Sequence, residues 1–280
     1  MSIQSIIVCG AGTMGSGIAQ VAARYGHETF LFDLDPSALE RARTQILRAW
    51  QTLVEKGHLS PVERDQASAR LHFTLTAVRA DLVIEAIVER LDAKIGLFQS
   101  LAPHCDGQTI FASNTSSLSI DALQHALPHP GRVAGLHFFN PAPLMKLVEV
   151  VRGAHTDPSV ADALSALVRS WDKVPVSCKD APGFIVNRVA RPYYLEALRM
   201  AESGASGFAS IDRIAEASGF RMGPFRLMDL IGNDINLAVT RSLYEASGNA
   251  PRFKPSPLQE GTVARGELGR KTGKGYYTYV

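Results

Sequence analysis

The sequence predicts an α/β protein, a doubly wound parallel sheet followed by a second, all-helical C-terminal domain. Three observations carry that expectation. Short apolar runs alternate with amphipathic segments from residue 3 to about 180. A glycine-rich turn stands between the first apolar run and the first amphipathic segment. After Val176 the strand signal fades and long helical segments take over, which places the expected domains at 1–181 and 182–280.

Taken in order, Ile6-Ile7-Val8, Thr29–Phe32, Leu82-Val83-Ile84, Thr109–Ala112 and Val133–Leu136 read as buried strands. Between the first two, Met14, Ile18, Val21, Ala22 and Tyr25 fall at offsets 0, 4, 7, 8 and 11, one face of a helix that packs on the sheet. Asp35-Pro36 supplies an N-cap and a first-turn proline, and Leu39, Ala42, Ile46, Trp50 and Leu53 continue a helical stripe. Ser60-Pro61-Val62-Glu63 has capping-box spacing, so a second helix completes a helical hairpin. Arg41, Arg43, Arg48 and Lys56 occupy its exposed positions, where a solvated face is the ordinary reading. The helical domain begins near Gly183 and runs through Leu195, Ile211, Met228 and Leu243. Pro251, Pro255 and Pro257 mark a loop, and Gly269, Gly273 and Gly275 punctuate the last turns before Tyr276-Tyr277-Thr278-Tyr279.

Composition narrows the function classes. With 280 residues, 46% hydrophobic and 20% charged, the chain buries a sizeable core without crosslinks. Its 29 basic and 27 acidic side chains leave a net charge of +2, and no Lys/Arg run exceeds two, so neither nucleic acid nor a membrane surface is an expected partner. The apolar runs are far shorter than a membrane span, and Gly10, Gly12 and Gly15 break the early one, so no secretion signal is expected. Cys9, Cys105 and Cys178 are too few and scattered for a disulfide framework or a metal site, which fits a reducing, cytoplasmic setting.

Gly10-Ala11-Gly12-Thr13-Met14-Gly15 matches G-x-G-x-x-G where a strand passes into a helix, the context that makes a Rossmann-type dinucleotide site. Gly10 permits the tight turn, Gly12 admits a pyrophosphate to the backbone, and Gly15 lets helix and strand pack closely. The helix N-terminus offers unpaired N–H groups to the phosphates. Asp33 closes the second strand 18 residues after Gly15, where a carboxylate accepts from both adenosine ribose hydroxyls and repels a 2′-phosphate. NAD is favoured over NADP, and FAD is the alternative dinucleotide.

Hydride transfer from an alcohol needs a base for the hydroxyl proton, and imidazole suits that task near neutral pH. His27, His58, His72, His104, His125, His129 and His155 lie in turns, helix flanks or strand edges. His137 instead ends a buried strand and enters Phe138-Phe139-Asn140-Pro141 on the carboxyl side of the sheet, where such folds bind ligands. Glu149 follows 12 residues later in Lys146–Val151, an apolar strand where a carboxylate needs a partner, the alternative being an edge strand with Glu149 facing water. A Glu that accepts from one ring nitrogen fixes the tautomer and stabilises the imidazolium. Ser113–Ser117 also follows a strand, either as a helix cap or as site hydroxyls, and Asn187 opens the helical domain.

The chain resembles the short-chain L-3-hydroxyacyl-CoA dehydrogenases, including the 3-hydroxybutyryl-CoA dehydrogenases, through GAGTMGSGIAQ, FDLDP, IEAIVE, ASNTSSLSI, GLHFFNPAPLMKLVEVV, DAPGFIVNR, GPFRLMDLIG and LGRKTGKGYY in family order. The resemblance implies reversible, NAD-dependent oxidation of an L-3-hydroxyacyl-CoA to the 3-ketoacyl-CoA. It implies His137 as general base, Glu149 as its orienting partner, and Ser116 and Asn187 as hydrogen-bond donors to the reacting oxygen. It further implies Gly10, Gly12, Met14, Gly15 and Asp33 for the cofactor, Glu89 and Lys94 near the nicotinamide, and Asn114 and Asn140 contributing. Lys56 and Arg48 are the residues it offers to coenzyme A phosphates. Relatives dimerise through the helical domain, so a homodimer is expected, with that domain serving substrate and dimerisation. The stretch Asn187–Arg199 is closer to the phenylacetate-degradation branch, which oxidises 3-hydroxyadipyl-CoA; Arg188 or Arg191 would then meet a distal carboxylate, unless both are surface or interface arginines. Asn233 is polar where an apolar residue or histidine is expected. A 3-hydroxyisobutyrate or phosphogluconate-type dehydrogenase would need a catalytic lysine, and Lys179 lacks that surrounding pattern. A non-catalytic NAD-binding or crystallin-like protein would have no need of His137, Glu149, Ser116 and Asn187 together.

Overall fold

A computed structural model describes residues 2–279. Eight strands form one sheet: β1 (Ser5–Cys9), β2 (Glu28–Phe32), β3 (Leu71–Thr74), β4 (Leu82–Glu85), β5 (Ile110–Ser113), β6 (Val133–Phe138), β7 (Leu147–Arg152) and β8 (Val174–Lys179), in the order β3-β2-β1-β4-β5-β6-β7-β8. The strand order reverses beside β1, so the crevice above β1 and β4 is the switch point at which doubly wound sheets take ligands.

Six helices serve this sheet: α1 (Thr13–Arg24), α2 (Pro36–Glu55), α3 (Pro61–Ala69), α4 (Leu91–Leu101), α5 (Ile120–Gln124) and α6 (Pro158–Ser170). The local signals act as anticipated. Asp35 caps α2 by accepting from Ser37 N–H at 2.8 Å, with Pro36 in the first turn. Ser60 and Glu63 form a reciprocal capping box at the start of α3. Leu39, Ala42, Ile46 and Trp50 are buried along α2 in the same core as Ile6, Val8, Ile18 and Leu31. Truncating Trp50 to Ala would cost about 3–5 kcal/mol.

Several expectations change. The sheet is not wholly parallel, because β6 and β7 are joined by residues 139–146 without a crossover helix and therefore pair antiparallel. β8 then follows α6 and runs parallel to β7. Neither β3 nor β8 announces itself in the sequence. β3 is a four-residue edge strand, and β8, at the other edge, carries Pro175 and has no fully buried residue. β5 begins at Ile110 rather than Thr109, whose N–H closes a turn to Asp106 and whose hydroxyl donates to the Ala80 carbonyl. Tyr25 lies just past the end of α1 and is 38% exposed.

The chain divides into two compact units, Met1–Ala181 and Pro182–Val280. The second contains α7 (Val186–Glu202), α8 (Phe208–Ala217), α9 (Pro224–Ile231), α10 (Asn233–Ala246) and α11 (Pro257–Ala264). Pro257 does not extend a loop; it sits in the first turn of α11, whose N-cap Ser256 accepts from Gln259 N–H. Leu195, Leu198, Phe225, Met228, Leu243 and Phe253 form the core of this unit. The buried Asp229 accepts from the Tyr276 and Tyr277 backbone N–H groups and from the Tyr279 hydroxyl, which ties down the terminal segment.

Candidate active site

The glycine turn is built for close approach. Gly10 has φ of +105°, donates to the Phe32 carbonyl at 2.8 Å, and leaves no room for a side chain, since an added Cβ would lie 2.6 Å from the Ala86 carbonyl oxygen. At Gly15 an added Cβ would lie 1.8 Å from the Gly10 oxygen. Gly12 is the N-cap of α1, has nothing within 4 Å of the Cβ it lacks, and makes no side-chain capping bond. The first N–H groups of α1 therefore face an open approach, as a pyrophosphate requires. Asp33 accepts from Ala11 N–H at 2.7 Å through Oδ2 and from Asp35 N–H at 2.9 Å through Oδ1. Its carboxylate thus braces the glycine turn, a role the sequence did not disclose. Met14 is half-buried and packs against the core.

A buried charged cluster lies along the carboxyl edge of β4 and β5. Glu85, the last residue of β4, is fully buried and accepts from Lys94 Nζ at 2.5 Å, Ile87 N–H at 2.8 Å and Ser113 Oγ at 2.6 Å. Lys94, on α4 and 1% exposed, also pairs with Glu89 at 3.1 Å. Glu89 accepts from Thr115 Oγ1 at 2.6 Å, Ser116 N–H at 2.9 Å and Ser116 Oγ at 3.2 Å. Burial alone would raise the Glu89 carboxyl, but the Lys94 charge and the Thr115 and Ser116 hydrogen bonds outweigh it and hold the group below the ordinary glutamate value.

One strand further, His137 and Glu149 are cross-strand partners in the β6–β7 register. His137 Nδ1 lies 2.7 Å from Glu149 Oε2, with side-chain exposures of 7% and 1%. Glu149 therefore does not face water from an edge strand, because β7 lies inside the sheet between β6 and β8. The carboxylate at Nδ1 holds the ring's orientation and favours its charged form. Asn114 ties this strand to its neighbour by accepting from Phe138 N–H at 2.9 Å. Asn140 is exposed in the turn after β6, which Lys173 holds by donating to the Ala142 and Met145 carbonyls.

The first unit thus brings Ser116, Glu89 and Lys94 into one hydrogen-bonded cluster and His137 and Glu149 into one pair. Lys56 and Arg48 are exposed on the hairpin, and Asn187 stands in the first turn of α7 in the second unit. Arg191 is neither a surface nor an interface arginine. It is 3% exposed, and its Nη1 donates to the Asn236 carbonyl, Asn236 Oδ1 and Thr240 Oγ1, so it holds α7 against α10. Asn233 is likewise buried, donating to Asp229 and to the Glu267 carbonyl. Glu85 was not singled out from the sequence, whereas Ser113 and Thr115 belong to the run Ser113–Ser117 that was. The reasoning that flags Glu149 applies equally to Glu85, a carboxylate closing the apolar run Leu82-Val83-Ile84.

Two family models match the chain, 3-hydroxyacyl-CoA dehydrogenase, NAD binding domain, over residues 5–181 and 3-hydroxyacyl-CoA dehydrogenase, C-terminal domain, over residues 183–279. The chain belongs to the 3-hydroxyacyl-CoA dehydrogenase family. Its dinucleotide is accordingly NAD, and FAD is set aside. A 3-hydroxyadipyl-CoA dehydrogenase of Escherichia coli (strain K12) is 47% identical over 100% of this chain and 60% of its own length. The mitochondrial hydroxyacyl-coenzyme A dehydrogenase of Sus scrofa is 41% identical over 99% of this chain and 91% of its own. A solved 3-hydroxybutyryl-CoA dehydrogenase from Escherichia coli K12 superposes with a TM-score of 0.97 at 47% identity, again over 100% of this chain and 60% of that one. This chain therefore spans 60% of the length of both Escherichia coli relatives.

Proposed function

We propose that this dehydrogenase oxidises L-3-hydroxyacyl-CoA thioesters of the 3-hydroxybutyryl type to 3-ketoacyl-CoA, reversibly, with His137 as the general base. The observation that carries the reading is the buried His137–Glu149 pair, 2.7 Å apart at the carboxyl edge of a sheet whose glycine turn fits a dinucleotide. Bound NAD supplies the acceptor for the hydride leaving C3. His137 Nε2 takes the 3-hydroxyl proton as the C–H bond breaks, and Glu149 stabilises the resulting imidazolium through Nδ1. In reverse, the protonated ring returns that proton to the ketone oxygen. Ser116 donates to the reacting oxygen as charge develops on it, a role we extend to Asn187.

Gly10, Gly12 and Gly15 shape the pyrophosphate turn, Asp33 binds the adenosine ribose, and Met14, Glu89, Lys94, Asn114 and Asn140 border the cofactor. Lys56 and Arg48 meet coenzyme A phosphates from the exposed side of the hairpin. We assign the second unit to substrate binding and homodimer formation, in a cytoplasmic setting. Val189 at 70% and Ile214 at 64% exposure, with Phe220 at 53%, give that unit apolar surface for a second copy to cover.

The 47% identity to a 3-hydroxyadipyl-CoA dehydrogenase favours a second substrate, a thioester with a distal carboxylate. Arg191 is committed to α10, and the exposed Arg199 donates to Glu196 and to the Pro251 and Arg252 carbonyls, so we assign that carboxylate to the exposed Arg188. A panel of L-3-hydroxyacyl-CoA substrates compared by kcat/KM with NAD tests both readings. Turnover of 3-hydroxybutyryl-CoA supports the first. A preference of about tenfold or more for 3-hydroxyadipyl-CoA, lost in Arg188→Ala, selects the second. No turnover of either refutes both.

A further inference from the structure

We propose that Glu85, which touches neither substrate nor cofactor in the mechanism above, is a positioning residue that sets the Thr115–Ser116 segment for the reaction. The inference rests on the dehydrogenase reading, and it adds a residue which that mechanism does not use. Glu85 is fully buried at the end of β4, directly across the register from Ser113 at the end of β5. Two arms leave this one carboxylate and meet at the same place. In the first, Oε2 accepts from Ser113 Oγ at 2.6 Å, which turns the Ser113 lone pairs toward Thr115 N–H at 3.2 Å. In the second, Oε1 accepts from Lys94 Nζ at 2.5 Å, and the same ammonium pairs with Glu89 Oε2 at 3.1 Å. Glu89 Oε1 in turn gathers Thr115 Oγ1 at 2.6 Å, Ser116 N–H at 2.9 Å and Ser116 Oγ at 3.2 Å.

Charge explains why a carboxylate stands at the root of both arms. An ammonium that is 1% exposed must be held by opposite charge on its buried side or be drawn wholly to the outer partner. With Glu85 ionised, Lys94 bridges two carboxylates, and Glu89 stays free to hold the serine loop through its other oxygen. With glutamine at position 85, the Lys94 ammonium has Glu89 alone as its anion, and Ser113 can reverse its hydroxyl to accept from the amide that replaces the carboxylate. Both arms then hold Thr115 and Ser116 less firmly. Removing one partner of a buried ion pair also costs stability, so turnover is read in variants confirmed to be folded.

Glu85→Gln, nearly isosteric, tests the coupling. We expect kcat to fall about tenfold or more. In a Ser116→Ala background the same substitution should cost less than about twofold, because the group through which Glu85 acts is already gone. A merely structural role would instead multiply the two losses, and that outcome overturns the proposal. Ser113→Ala severs one arm without touching a buried charge; a loss of about threefold or more is expected, and kcat equal to wild type overturns the first arm. If Glu85→Gln does not fold, the Ser113→Ala and Ser116→Ala pair carries the same comparison. Amide exchange reads the coupling without turnover: the Ser116 N–H should exchange about tenfold faster in Glu85→Gln, and an unchanged rate overturns the proposal whatever the activity. Absence of acyl-CoA turnover in the wild type, by contrast, refutes the dehydrogenase reading alone.

Discussion

Replacing Glu149 with Gln removes one negative charge from beneath His137 and almost no volume. The native pair is 2.7 Å apart with exposures of 7% and 1%, so solvent screens it little. With charge centres about 4 Å apart and an effective dielectric of about 20, attraction between carboxylate and imidazolium amounts to about 4 kcal/mol. The glutamine amide oxygen still accepts the Nδ1 hydrogen, so tautomer and ring orientation survive while the charge stabilisation is lost. After partial relaxation of the surroundings, kcat for oxidation should fall about 100- to 1,000-fold. The assay follows NADH absorbance with saturating NAD and 3-hydroxybutyryl-CoA, with NADH affinity measured separately by fluorescence titration. A variant that keeps kcat within about threefold of wild type would refute the reasoning, as would a loss fully matched by weaker NADH binding.

Asp33→Ala should lower the ratio of NAD to NADP affinity about tenfold, and should weaken both because the Ala11 N–H loses its 2.7 Å acceptor; titration of the two cofactors checks this, and an unchanged ratio removes Asp33 from the ribose site. Gly15→Ala drives a Cβ to 1.8 Å from the fixed Gly10 carbonyl, so NADH affinity should drop at least about tenfold; unaltered binding by fluorescence titration would contradict the close turn. The Glu89 carboxyl is held below its ordinary value of 4.5, so its charged form stabilises the folded state above that pH, and the contribution is lost as pH falls through the depressed value. Glu89→Gln should therefore melt lower than wild type near neutrality and converge with it on acidification; a deficit of the same size across the whole series argues against the sign.

The sequence discloses what is local. Capping at Asp35 and Ser60, the glycine turn and the apolar stripe of α2 follow from residues a few positions apart, and each is formed as read. His137 and Glu149 are legible for a different reason, since a carboxylate in an apolar strand demands a partner and the nearest plausible one is 12 residues upstream. The direction of β7 is not legible, because pairing direction depends on the connection after β6 rather than on the strand's own pattern. The edge strands β3 and β8 escape for want of a continuous apolar run. Arg191 shows the limit from the other side. Its polar partners, Asn236 and Thr240, stand 45 and 49 residues away on α10, and no local feature marks an arginine for burial there.

The central claim is that His137 moves the substrate proton. Its most direct test is turnover of His137→Gln at saturating NAD and 3-hydroxybutyryl-CoA, set beside NADH affinity of the same preparation. The account predicts a fall in kcat of about 10²- to 10⁴-fold with NADH binding kept within about twofold. Turnover within about threefold of wild type would mean that another group carries the proton.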